Sequence, residues 1–226
     1  MRLRGTTRER PPIHEVLREF PLFDNLYMSM QAQNISMVDI YLEDLESQLL
    51  MEYLEIEHTP IPTALFVSAL SQMWVFAVYE LLRTWRQRAR ELLAYAEKRK
   101  RGGTDGAPTP KQETPTLAEA IYELSYDRVE SDPKFVQRVR SAYDRIDQVF
   151  SRVEALRMNL AKHEIPKKKG SIALAPGYGR IDQTNGSIYW MVSLGGNEVD
   201  MISRREIAQH LRSLKRKRGR TPTRNL

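Results

Sequence analysis

The chain has 226 residues, 41% of them hydrophobic and none of them cysteine, which implies a globular fold with a real core and excludes disulfides and thiolate metal sites. Its net charge of +6 is gathered in four basic runs, at 1–10, 98–101, 167–169 and 215–226, so the rest of the chain is acidic and the basic balance alone does not make it a nucleic-acid binder. No apolar run follows the N-terminal arginines as a secretion signal would require, and a cytoplasmic location is expected.

Residues 1–30 are basic and proline-bearing and read as an arm or a short helix. From Ser36 onward, Val38, Leu42, Leu45, Leu49, Tyr53 and Ile56 recur at steps of three and four, which predicts an amphipathic helix ending near His58, before the prolines at 60 and 62. Thr63 is a candidate N-cap for a long helix over 64–100. The first part of that helix, Ala64 to Tyr79, carries no charge but is shorter than the roughly 20 residues of a membrane span and is interrupted by Ser68, Ser71 and Gln72. It reads as a helix buried on most sides in the core, with a membrane span as the alternative.

Residues 102–116 hold glycines, prolines and threonines and read as a flexible linker. Helical periodicity resumes at Leu117. Asp132 as N-cap and Pro133 at the first helical position then open a helix whose stripe runs through Phe135, Val139, Ile146, Val153 and Leu160. After Lys167, Lys168 and Lys169 the period changes to two, and Asn185-Gly186 signals a turn before SIYWMVSL, a β-hairpin or small meander closed by Gly195 and Gly196, with Trp190 packing it on the helices. Ser203 and Glu206 have capping-box spacing ahead of a short last helix, and residues 215–226 form a basic tail. The expected fold is mainly α: a helical bundle over about 31–168, extended by a small C-terminal β-hairpin and a final short helix over 169–214.

Metal chemistry finds little support. The four histidines stand singly, and the lone Glu55-x-x-His58 lacks the second copy and further glutamates that a di-iron bundle needs. The glycine-rich stretches have neither the lysine and hydroxyl of a phosphate loop nor the strand-helix context of a dinucleotide fingerprint, and no serine sits in a nucleophile elbow. No metal or cofactor is expected. What remains is the stretch Arg157-Met-Asn-Leu-Ala-Lys-His163 at the end of the long late helix. Asn159 and His163 are i,i+4 neighbours, whereas Arg157 and His163 lie about 120° apart on an ideal helix, so bringing them together needs unwinding near Pro166 or a second copy across a two-fold axis. A plain structural reading also exists: a solvated arginine, and a histidine whose charge suits a helix C-terminus.

This stretch resembles the Arg-x(4–6)-His motif of the HEPN superfamily, compact α-helical bundles that include metal-independent ribonucleases of toxin–antitoxin and phage-defence systems. An earlier apolar helix carrying an aromatic-acid pair, here Tyr79-Glu80, adds to the likeness. Met158 departs from it, because the family usually has a polar residue directly after the arginine. The resemblance spans about residues 36–165 and implies catalysis by Arg157 and His163, with Asn159 orienting the histidine or binding phosphate and Glu80 orienting Arg157. Lys162, Lys167, Lys168 and Lys169 would contact the RNA backbone. The implied partners are RNA, a second copy in a homodimer, and an antitoxin or other partner protein, with no membrane. The alternative is a noncatalytic helical protein that binds a partner protein or nucleic acid through its bundle face and basic tails.

Overall fold

The computed structural model describes residues 10–102, 117–162, 179–195 and 198–214. Its elements in order are α1 (Ile13–Arg18), α2 (Leu26–Ile56), α3 (Ile61–Lys100), α4 (Leu117–Ser131), α5 (Pro133–Lys162), β1 (Arg180–Ile181), β2 (Ile188–Gly195), β3 (Glu198–Ser203) and α6 (Arg204–Ser213). The expected mainly helical fold with a small C-terminal sheet and a last short helix is present. The 103–116 part of the linker, the lysines at 167–169 and the 215–226 tail lie outside the described residues.

Two boundaries differ from expectation. Of the two readings of residues 1–30, the short helix is present as α1, and it packs against α2 and α6 with Ile13, Val16, Leu17, Phe20 and Phe23 all buried, so the helical core begins before residue 31. The helix expected from Ser36 begins ten residues earlier, at Leu26, where the Asn25 side chain accepts a hydrogen bond from the Tyr27 N–H. It ends at Glu57, which adopts a left-handed conformation with φ 55°, and α3 follows with Pro62 in its first turn.

Helix α3 is the spine, packed between α2 and α5. Its tryptophans serve packing and also satisfy distant backbone: Trp74 Nε1 donates to Ile35 O at 2.9 Å, and Trp85 Nε1 donates to Pro21 O at 2.7 Å. Trp85 is sandwiched between Phe23 and Tyr143. The apolar first half of α3 is not buried on most sides. Only 28% of its most apolar stretch is buried, although by length and composition alone it could cross a membrane. Asp132 opens α5 as expected, its Oδ1 accepting the Lys134 N–H at 2.9 Å.

The sheet is antiparallel in the order β1-β2-β3. Strand β3 was not among the expected elements, which closed the hairpin or meander at Gly195 and Gly196; it pairs with β2 through Trp190↔Ile202 and Val192↔Asp200. Trp190 is buried, on the inner face with Ile188 and Val192. The Asn185-Gly186 turn connects β1 to β2 and is seated on α2: Gly186 has φ 76°, and a Cβ there would lie 1.8 Å from the Glu46 carbonyl oxygen. Asp182 organises this turn, accepting from the Thr184 N–H at 2.8 Å and from the Asn185 amide at 2.8 Å.

At the end of β3, Ser203 caps α6 by accepting the Glu206 N–H at 3.1 Å, while the Glu206 carboxylate pairs with Arg152 of α5 instead of reaching back. The next residue, Arg204, is fully buried. Its guanidinium holds both oxygens of buried Glu46, at 2.8 and 2.7 Å, and also binds buried Asp39. Arg205 reaches Glu46 at 2.7 Å, Arg212 binds Asp39 and lies 3.1 Å from Glu43, and the Trp74 ring covers Arg204 at 5.5 Å. The C-terminal unit is thereby tied to the middle of α2.

Removing Arg204 would strand two buried carboxylates, so Arg204→Ala is expected to cost about 3–5 kcal/mol in chemical denaturation, far more than Arg83→Ala on the surface of α3. The turn has a pH signature. Burial pushes the Asp182 carboxyl up, but hydrogen bonds from Thr184 and Asn185, with Arg205 nearby, outweigh it and hold the pKa below its ordinary value. Its contribution is therefore complete above the ordinary aspartate range and is lost as pH falls through the depressed folded value. Acid titration of the wild type should show this loss, and Asp182→Asn should flatten it.

Candidate functional site

The end of α5 carries the residues singled out by the sequence. Its last turns bury Val153, Ala155, Leu156 and Asn159 and leave Arg157 and Met158 partly exposed. The Arg157 guanidinium lies 4.9 Å from the centre of the Tyr79 ring, which itself stacks on Phe150 at 5.5 Å. An N–H of Arg157 points to the Met158 sulfur at 3.3 Å. An aromatic face and a thioether position a guanidinium without neutralising it. Among the described residues no carboxylate is paired with Arg157, in contrast to Arg86, Arg152, Arg204 and Arg212.

Tyr79 is the contact that sequence reasoning missed. The pair Tyr79-Glu80 was expected to supply an acid for Arg157, but the two side chains point about 100° apart on the helix. Tyr79 faces α5. Glu80 is turned to solvent, where it accepts from Arg83 Nε at 2.8 Å, so the orienting role expected of Glu80 passes to its neighbour.

Asn159 also departs from expectation. It is fully buried, its Nδ2 donating to Ala155 O at 2.8 Å and to Ser193 O at 3.1 Å, while its Oδ1 accepts the Ser193 N–H at 3.1 Å. Both amide hydrogens are spent, which leaves none for phosphate. The residue instead docks β2 onto α5 by imitating a strand partner for Ser193. His163, Lys167, Lys168 and Lys169 lie outside the described residues, and of Lys162 only the backbone, the last residue of α5, is described.

Two of the other histidines make single polar contacts. His14 Nδ1 is 3.1 Å from Ser36 Oγ, and His58 Nδ1 is 2.6 Å from Ile56 O. Among the described residues no group of three or more His, Asp or Glu side chains could hold a metal ion.

A second feature is extended rather than focal. Of the 19 exposed large apolar side chains among the described residues, ten belong to α2. Met37 at 66% and Met51 at 64% exposure lie opposite the core face that carries Ala32, Ile35, Leu42 and Leu49, and Leu54 is 62% exposed. On α3 the outward stripe of Ile61, Leu65, Ala69, Met73 and Ala77 is likewise free of charge. Where the α2–α3 turn meets β1 and β2, a groove of about 480 Å³ is lined by Tyr53, Ile61, Leu65, Ile181 and Ile188.

Comparison with protein-family models, with curated proteins and with solved structures gave no match.

The Asn159 clamp has a measurable consequence. Asn159→Ala leaves the buried Ser193 groups without their α5 partner and should cost about 1–3 kcal/mol in denaturant unfolding. Arg157→Ala, which removes one half-exposed cation–π contact, should cost under about 1 kcal/mol.

Proposed function

We propose that the protein is a metal-independent endoribonuclease of HEPN type, with Arg157 and His163 as its working pair. The observation that supports this reading is the state of Arg157: half-buried, held on the Tyr79 ring, without a carboxylate partner among the described residues, and six positions ahead of the histidine. An arginine kept this way is suited to the negative charge that develops on phosphorus-bound oxygens.

In the reaction, an RNA 2′-hydroxyl attacks the adjacent phosphorus while its proton passes to a base. The 5′-oxygen of the next nucleotide leaves and takes up a proton. The products are a 2′,3′-cyclic phosphate and a 5′-hydroxyl. A histidine titrates near pH ~6.5 and can move these protons at neutral pH, and Arg157 stabilises the pentacoordinate state through paired hydrogen bonds. Lys162 and the lysines at 167–169 would hold the RNA backbone. A toxin or phage-defence role fits such an activity, with an antitoxin or partner protein restraining it.

A second reading, a noncatalytic protein that binds a partner, is favoured by a different observation: the exposed apolar faces of α2 and α3. One assay separates the two. Purified protein should cleave RNA in the presence of EDTA and leave 2′,3′-cyclic ends. His163→Ala should reduce the rate by at least about 100-fold, and Arg157→Ala should do so comparably, while the protein stays folded with a melt within about 4 °C of the wild type. Absence of cleavage, dependence on a divalent ion, or full activity in His163→Ala would reject the nuclease.

A further inference from the structure

We infer that the outward face of α2 is a self-pairing surface, on which a second copy of this chain lies antiparallel. The inference does not rest on the ribonuclease reading. It starts from the spacing of the exposed positions. Residues 26, 30, 33, 37, 40, 44, 47, 51 and 54 alternate steps of four and three along one side of α2, and all nine are exposed. That is the seam of a two-helix coil, drawn on the side of the helix that the core does not use.

What lies on the seam selects the partner. In the antiparallel register whose two-fold axis passes between Val38 and Asp39, Met37 meets Ile40 of the other copy at the centre. The next layer outward pairs Gln33 with Asp44, whose carboxylate accepts from the amide. Met30 then covers Ser47, and Leu26 meets Met51 at the end. Every layer occurs twice by symmetry, with polar matched to polar at Gln33 and Asp44. Shifting the axis by half a heptad toward the C-terminus puts Ile40 against Asp44 and Gln33 against Met51, which buries a carboxylate in apolar surroundings.

Charge selects the same arrangement. Residues 25–38 carry no charge, α2 has no lysine, arginine or histidine, and its acids begin at Asp39. Asp39 and Glu46 are consumed by the buried arginine cluster, and Glu43 lies against Arg212. The acids left on the surface, Asp44, Glu52 and Glu55, all lie in the C-terminal half. A parallel pair would stack these acids on each other. The antiparallel pair lays the acidic half of each helix over the neutral half of the other, with Glu52 and Glu55 beside the positive N-terminal end of the partner helix. The seam from Leu26 to Met51 is about 38 Å long, and with Tyr27, Val38 and Tyr41 on its flanks it has the reach of a standard interface of about 800 Å² per partner.

This surface is not on α5, whose exposed positions include Lys134, Arg138, Arg140 and Asp144. Pairing through α2 therefore differs from the pairing of late helices expected from the motif.

The test uses the full chain in sedimentation velocity. The expected species is twice the chain mass. Met37→Glu, at a 66% exposed position that the fold does not need, should weaken dimerisation on the order of 100-fold with an unchanged thermal melt. Because the chain has no cysteine, register can be read by oxidation. A mixture of Leu26→Cys and Met51→Cys proteins should form a heterotypic disulfide dimer. Leu26→Cys alone should not, its two copies being about 38 Å apart. His163→Ala should dimerise normally, so failure of the nuclease reading leaves this result intact. A monomer at high micromolar concentration, a dimer indifferent to Met37→Glu, or cross-linking of Leu26→Cys with itself would overturn the inference. A monomer that sediments with phosphatidylcholine vesicles would overturn it in favour of a lipid surface.

Discussion

The buried contact between Arg204 and the carboxylates of Asp39 and Glu46 is the constraint on which the C-terminal half depends. Charges are costly to bury, and a guanidinium with five donors in a plane is one of the few groups that can satisfy two carboxylates at once. Arg204 stands at the junction of β3 and α6, so its position fixes both elements against α2. Trp74 closes the cluster from α3, and the Gly186 turn settles on the α2 backbone beside Glu46, where no side chain would fit. With the sheet so placed, β2 meets the end of α5, and Asn159 fastens Ser193 there. The face of α5 that presents Arg157 to Tyr79 is thereby set by contacts far from it in sequence.

The same cluster shapes the surface. Two positions on the inner face of α2 are spent on carboxylates, while much of the outer face is apolar, which inverts the usual distribution for a surface helix. Natural proteins seldom leave so much apolar side chain along one helix without a partner. The apolar outer stripe of α3 continues this character at the other side of the α2–α3 turn. Arg157 on the Tyr79 ring and the apolar outer face of α2 are separate features on separate helices.

Much of the architecture was legible because its signals are local. The Asp132-Pro133 start of α5, the Asn185-Gly186 turn, the Ser203 cap and the long run of α3 each follow from the preference of a few residues for one backbone geometry. The face of α2 was not legible. Its apolar residues surround the helix, so the period that picked Val38 as a core position also fits the outer side; Val38 is exposed and Asp39 is buried. Strand β3 was missed because Gly195-Gly196-Asn197 reads as an end, and EVDMIS is strand only because β2 lies beside it. Asn159 read as a polar residue near a catalytic pair, and only the neighbouring strand reveals it as a clamp.

By itself the sequence determined the helical class and the sites where most helices start and stop, since these rest on short-range sterics and capping. Tertiary structure alone decided which side of α2 faces inward, that Tyr79 and not Glu80 receives Arg157, and that Asn159 holds the sheet. Each of those outcomes depends on a partner many residues away, a burial or a long-range hydrogen bond whose value exists only once the chain has closed on itself.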